Sequence, residues 1–329
     1  MALILSAATG NFNAGATWVG GIVPGVGDEA RASTTHVVTI TANVTCTEIS
    51  NAGSGTFVLN SGVTLTANVT NKTTTANVNC LSFSAVSPAT ATIVGNVTGG
   101  AASNGSPVAG TGAILNSSSG TLLVQGNVVG GTNVICIGAF NSSTGTISVT
   151  GNVTGGTGNQ CHGSYNLSTG AISISGNVAG GSGATATGAI NAAAGTLTIT
   201  GNVSGGTIGT AVGVNNASTG TVTITSTTIT STVAIAVSNS VGGTVNITGN
   251  VTGGTAATVY GVNNVGVGTI NVTGNVTGGT VVATSHGLNN TSTGIVAIVG
   301  ICTGGAAGAA GANNAAGGTI TATRAKGNG

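Results

Sequence analysis

The word Gly201-Asn202-Val203-Ser204-Gly205-Gly206-Thr207 recurs along the chain and limits what the chain can fold into. Near copies begin at Gly95, Gly126, Gly151, Gly176, Gly249 and Gly274, with degenerate copies at Ser226 and Gly300. Successive starts are separated by 31, 25, 25, 25, 25, 23, 25 and 26 residues. Self-similarity at a period of about 20–50 residues belongs to chains that stack one small unit on the next, each unit being too small to bury its own apolar face.

An asparagine lies ten residues before each start from Gly126 to Gly300: Asn116, Asn141, Asn166, Asn191, Asn216, Asn239, Asn264 and Asn290. The interval survives where the repeat length drifts, so insertions and deletions fall elsewhere in the unit. One polar residue kept in one slot predicts a structural ladder, each side-chain amide donating to the carboxamide of the next coil. The alternative for the same slot is a turn asparagine that tolerates a left-handed backbone.

Within one unit, Thr221-Val222-Thr223-Ile224-Thr225 alternates with period two, which turns Val222 and Ile224 inward and the threonines outward. Residues 211–214 read as a second strand and Val203 as one end of a short third. Gly205, Gly206 and Gly220 supply corners. The expected fold is all-β: a single-chain right-handed parallel β-helix of about 25 residues per three-sided coil and roughly 12 coils, some 55–60 Å long at a strand spacing near 4.8 Å.

Residues 1–35 are expected to form an N-terminal cap, 36–94 the first and partly irregular coils, 95–323 the regular solenoid and 324–329 a C-terminal tail. Ala67-Asn68-Val69 follows Ala42-Asn43-Val44 by 25 residues, so the period is expected to hold from the first coils. Between Asn71 and Pro88 the word repeats out of phase, which predicts an irregular coil. Asn104-Gly105-Ser106-Pro107 predicts a protruding loop. Asn314 extends the asparagine slot to the last coil, and Arg324 and Lys326 place charge on its edge, where charge discourages pairing with another copy.

Only 7 of the 329 residues are Asp, Glu, Lys or Arg, and none lies between Lys72 and Arg324. Four basic residues cannot neutralise a run of phosphates, which argues against a nucleic-acid partner. No run approaches 18 apolar residues, and one Trp and two Tyr cannot form the aromatic girdles of an outer-membrane barrel, so no membrane partner is expected. The first ten residues lack a basic region and carry an apolar run of about five, against the 7–15 or so of a secretory signal. An export signal outside this sequence is one explanation, and release by cell lysis is the other.

The chemical inventory points away from an enzyme and from any cofactor or metal. Asp28, Glu29 and Glu48 are the only acids; Asp28 and Glu29 are expected to serve the cap turn, and Glu48 to be solvated. His162 and His286 lie 124 residues apart, about five coils, too far to share a metal in one chain, and all three histidines, His36 included, are expected to be packed or exposed. Five cysteines are no disulfide framework. Cys136 and Cys161 share a slot in consecutive coils, within reach of a disulfide, the alternative being two small inward hydrophobes. Regular outward threonines at 196, 198, 200, 221, 223 and 225 suit either an ice-binding face or plain β-propensity on a solvated face.

A stack of coils needs an atypical terminal unit to close its apolar end. Phe12, Trp18 and the Pro24 turn suit that role, and residues 17–28, Thr-Trp-Val-Gly-Gly-Ile-Val-Pro-Gly-Val-Gly-Asp, end on Asp28. This segment resembles the N-terminal cap of parallel β-helix surface and virion proteins. The resemblance covers about 40 residues. It implies a phage structural protein, decorating a capsid or forming a fibre, exposed on the virion surface. Its partners would be other virion proteins, further copies of itself, or host-surface glycans. The alternatives are an extracellular bacterial adhesin and an ice- or glycan-binding solenoid.

Overall fold

The computed structural model describes residues 1–72, 81–83, 90–100, 112–132, 134–256, 259–281 and 284–328. The irregular coil expected between Asn71 and Pro88 falls largely outside the described residues, and the loop expected at Asn104-Gly105-Ser106-Pro107 wholly so. The protein is an all-β parallel solenoid of about 12 turns, with a spacing of about 25 residues along its regular part. Two short 3₁₀ turns, Gly15–Thr17 and Val19–Gly21, are the helical elements among the described residues.

A regular coil runs through three strands. Thr196–Thr200 and Val203–Ser204 join a 20-stranded sheet, and Val214–Asn216 joins a 13-stranded one. Every strand pairs in parallel with its counterpart one coil away: Leu197 with Val222, Ile199 with Ile224, Val214 with Val237. The alternation does the sorting. Leu197, Ile199, Val222 and Ile224 are buried, while Thr196, Thr198 and Thr200 are exposed. Each buried Val, Leu or Ile contributes about 1.5–3 kcal/mol, and the cluster they form is continuous from Phe12 to Cys302.

Corners need glycine because neighbouring coils touch there. A Cβ on Gly201 would lie 2.3 Å from the carbonyl oxygen of Gly176 one coil back. The repeated word therefore records backbone-to-backbone contact.

Three expectations are corrected. The second strand covers Val214–Asn216 and not residues 211–214, because Ala211 and Val212 belong to the approach to the corner. The 25-residue period does not hold in the first coils: Val44 pairs with Leu65 and Ile49 with Val69, steps of 21 and 20. The matching Ala-Asn-Val words at 42–44 and 67–69 lie at different places in their coils. Glu48 is not a solvated residue after a strand; it lies within Val44–Asn51 and is ion-paired.

Candidate functional site

The buried asparagines occupy the exit of the 13-stranded sheet. Their Nδ2 atoms donate coil to coil: Asn141 to Asn166 at 3.2 Å, Asn166 to Asn191 at 3.1 Å, Asn191 to Asn216 and Asn216 to Asn239 at 3.2 Å each. Asn239 to Asn264 and Asn264 to Asn290 follow at 3.1 Å, and Asn290 to Asn314 at 3.2 Å. The second amide proton closes the turn, as in Asn191 to the Gly195 carbonyl at 3.1 Å. One amide thus meets both of its donor obligations. Asn116 stands outside the chain of amides. Its Nδ2 donates to the Gly120 and Thr146 carbonyls, and the Asn141 Oδ1 is buried without a partner among the described residues.

A second asparagine column runs on the outside. The Oδ1 of Asn127 accepts from the Asn152 N–H, Asn152 from Asn177 and Asn177 from Asn202, each at 2.9 Å. In the sequence these residues serve only as a register mark, although the Asn that follows the starting residue in seven of the nine words was the available signal. A buried Asn51, donating to Gly55 O at 3.0 Å, was also missed. It follows the same Asn-x-x-x-Gly spacing as the inner ladder.

The first two levels of the outer column hold acids. Glu29 is in register with Glu48, and Glu48 with Asn68. Lys72 reaches Glu29 at 2.9 Å and Glu48 at 3.0 Å, and Arg31 reaches Glu29 at 2.7 Å. Burial alone would raise the Glu29 pKa, but hydrogen bonds from Lys72, Ser50 and Arg31 and the Arg31 charge outweigh it and hold the carboxyl at about 2. Glu29 is therefore an ion-paired structural anion at neutral pH, at the start of the strand Glu29–Ala32 and not in the turn. Asp28 does serve a turn, its Oδ2 accepting from the Gly25 N–H at 3.0 Å.

In the cap, Phe12 and Trp18 are both buried and meet edge to face with ring centroids 5.1 Å apart. The Trp18 indole N–H donates to the Phe12 carbonyl at 2.6 Å. Pro24 is buried in the following turn.

His162 and His286 occupy equivalent slots, each accepting a backbone N–H from the next coil: Thr187 at 3.2 Å and Ala310 at 3.1 Å. Burial lowers the His162 pKa to about 4. His36 shares a hydrogen bond with Ser6 Oγ at 2.8 Å. Among the described residues no group of three or more His, Cys, Asp or Glu could hold a metal. Cys136 and Cys161 stand as thiols clustered with Ala186; their mutual hydrogen bond, then burial, raises the Cys161 pKa. Burial pushes the Cys46 and Cys302 thiols up to about 12, far from a reactive thiolate.

The outward face carries Thr196, Thr221, Thr244 and Thr269 in one register column, and Thr198, Thr223, Asn246 and Asn271 in the next. Below it the column changes to Ile295 and Ala297. No helix among the described residues is long and apolar enough to cross a membrane.

These features define a β-solenoid repeat protein with an internal amide ladder. Comparison of the chain with protein-family models, with curated proteins and with solved structures finds no match.

Proposed function

We propose that this chain is a non-enzymatic structural protein, a rigid uncharged shaft displayed on a phage virion as a capsid-decorating or fibre component. The observation that carries the reading is continuous axial register. One column runs from Glu29 through Glu48 and Asn68, and reappears at Ile301 and Arg324 in the last coils. A shaft transmits position only if its coils cannot slip, and a buried polar ladder penalises slippage because a shifted amide loses its partner. The virion assignment itself leans on the resemblance of residues 17–28 to β-helix caps. The acids support a structural role, since Glu29 and Glu48 are engaged by Lys72 and Arg31.

Antibodies against the shaft, applied to particles and cells from the source culture under the electron microscope, test it. Label on extracellular particles of uniform size is expected. Label confined to a cell envelope would overturn the virion reading in favour of a secreted adhesin.

A second reading, an ice- or glycan-binding solenoid, is favoured by the four-level threonine block at 196–269. Inhibition of ice recrystallisation that is lost in Thr223→Leu would support it over the shaft alone.

A further inference from the structure

The two ends of the solenoid are built differently. At the first coil the cap segment occupies the edge: Ser6 bridges Trp18 in antiparallel sense, and the Ala7 and Ala8 N–H groups donate to the Thr17 carbonyl. At the last coil Thr319–Lys326 pairs with Ile295–Thr303 and Ala312–Asn314 with Leu288–Asn290, and no further strand lies beside either among the described residues. An unpaired edge is a template for another strand.

The backbone groups on that edge have a defined phase. The Thr319 N–H donates back to the Gly294 carbonyl, and the Gly304 N–H donates to the Lys326 carbonyl. Alternation along the strand turns the N–H and C=O of Ile320 and Ala322 to the open side. The register shifts between Ile298 and Ile301, so beyond it Ala325 is the residue whose backbone groups face outward from the stack. The inner ladder stops here too. The Asn314 Nδ2 donates to the Gly318 carbonyl at 2.7 Å, and the proton that each earlier asparagine gives to the next coil is turned to the open side.

The side chains are those of an interior coil. Ile320, Ala322 and Ala325 continue the columns of Val296, Ile298 and Cys302, all three buried. Ile320 and Ala322 are only partly covered, as is Ala312 on the other sheet, and Ala325 is exposed. A strand set below would bury them, provided that it places apolar residues beneath 320, 322 and 325. Arg324 and Lys326 continue the outward positions of Ile301 and Thr303, and both are exposed. Opposite charges directly across a strand pair attract and like charges repel. The side-chain carboxylates of this chain are already engaged: Glu29 and Glu48 by Arg31 and Lys72, and Asp28 by its turn. The charge that suits this edge therefore comes from a different protein.

We propose that the Thr319–Lys326 edge is a docking site for an extended, acidic strand of a partner protein, apolar where it faces the core and carboxylate-bearing where it meets Arg324 and Lys326. Recognition is by strand addition: main-chain hydrogen bonds give affinity, and alternate side chains give selectivity. Arg324 and Lys326 then do two things. They disfavour pairing with the same edge of a second copy, and they select the acidic strand. The inference stands without the virion reading, since any partner with such a strand satisfies it.

The probe is the synthetic peptide Val-Thr-Val-Thr-Glu-Val-Glu, blocked at both ends and titrated against the full chain by fluorescence anisotropy. Saturable binding with a Kd below about 1 mM is expected. Arg324→Glu with Lys326→Glu should weaken it at least about tenfold with unchanged circular dichroism, and a peptide with Lys in place of both Glu should bind that variant and not the native chain. Two further peptides, each N-methylated on one alternate set of residues, leave the protein untouched. One should lose binding and the other keep it, because a strand offers only one set to its neighbour. Absence of saturable binding, equal binding of the two charge forms to the native chain, equal binding of the two methylated forms, or a native chain that dimerises through this edge in sedimentation velocity would overturn the inference.

Discussion

The side-chain amide of Asn191 donates to the carboxamide oxygen of Asn216 one coil on, at 3.2 Å, and both side chains are fully buried. Asn191 also accepts from Asn166 and donates to the Gly195 carbonyl. Asn191→Ala removes three buried hydrogen bonds, although Asn166 keeps the Gly170 carbonyl, Asn216 keeps the Ser218 hydroxyl and the Gly195 carbonyl keeps the Thr221 N–H, and each lost bond costs about 0.5–1.5 kcal/mol. The expected loss of stability is roughly 2–4 kcal/mol, read as a fall in denaturation midpoint. Asn152→Ala in the exposed outer column, which loses one hydrogen bond from the Asn177 N–H, should cost less than about 1 kcal/mol.

Corner glycines should divide by what lies beside them. At Gly201 a Cβ would sit 2.3 Å from the Gly176 carbonyl oxygen, whereas nothing lies within 4 Å of a Cβ at Gly25. Gly201→Ala should force the coils apart and destabilise by more than about 2 kcal/mol, the scale of overpacking. Gly25→Ala should be neutral within about 0.5 kcal/mol. Thermal unfolding of both variants checks the contrast.

The cap predicts a local effect. Trp18 is the only tryptophan, is buried against Phe12, and is fixed by its indole hydrogen bond. Trp18→Ala should cost about 3–5 kcal/mol. Hydrogen exchange should rise in the first coils and remain slow in Thr196–Thr200 and Thr221–Thr230, because each coil touches only its neighbours.

The regular coils were the part most legible in the sequence. The alternation of Thr221-Val222-Thr223-Ile224-Thr225 is the two-residue period of a strand with one buried face, and the structure buries Val222 and Ile224. Local words failed where the partner is distant. Glu48 looks solvated in its own segment, and its partner Lys72 arrives from the next coil. The early Ala-Asn-Val words matched in letters but not in register, because the first steps are 21 and 20 residues long. The outer asparagine column was overlooked because its acceptor role concerns the backbone of the following coil, which no single segment displays.

Acid should act in two windows. The unfolded His162 side chain takes up a proton near 6.5, and the folded one only near 4. The unfolded state therefore binds more protons between those values, so stability is full above pH 6.5 and falls as pH drops towards 4. The loss is on the order of 3 kcal/mol. Glu29 has the depressed carboxylate value of about 2 against an ordinary 4.5. Its contribution is present above pH 4.5 and is lost as pH falls through about 2. Melting curves from pH 8 to pH 2 should show the first decline in the native chain and its loss in His162→Asn.

The most direct measurement of stacked register is a pair of distances along one face. Thr198, Thr223, Asn246, Asn271, Ala297 and Thr321 are successive partners, so Thr198 and Thr321 are five rungs apart, about 24 Å at the strand spacing. Thr64, Thr92, Leu123, Ser148, Ser173 and Thr198 add five rungs, which places Thr64 about 48 Å from Thr321. Spin labels at these pairs in a cysteine-free background should give two narrow distance distributions, the second centred at twice the first. Broad distributions, or a Thr64 to Thr321 distance no longer than the Thr198 to Thr321 distance, would contradict a single in-register solenoid.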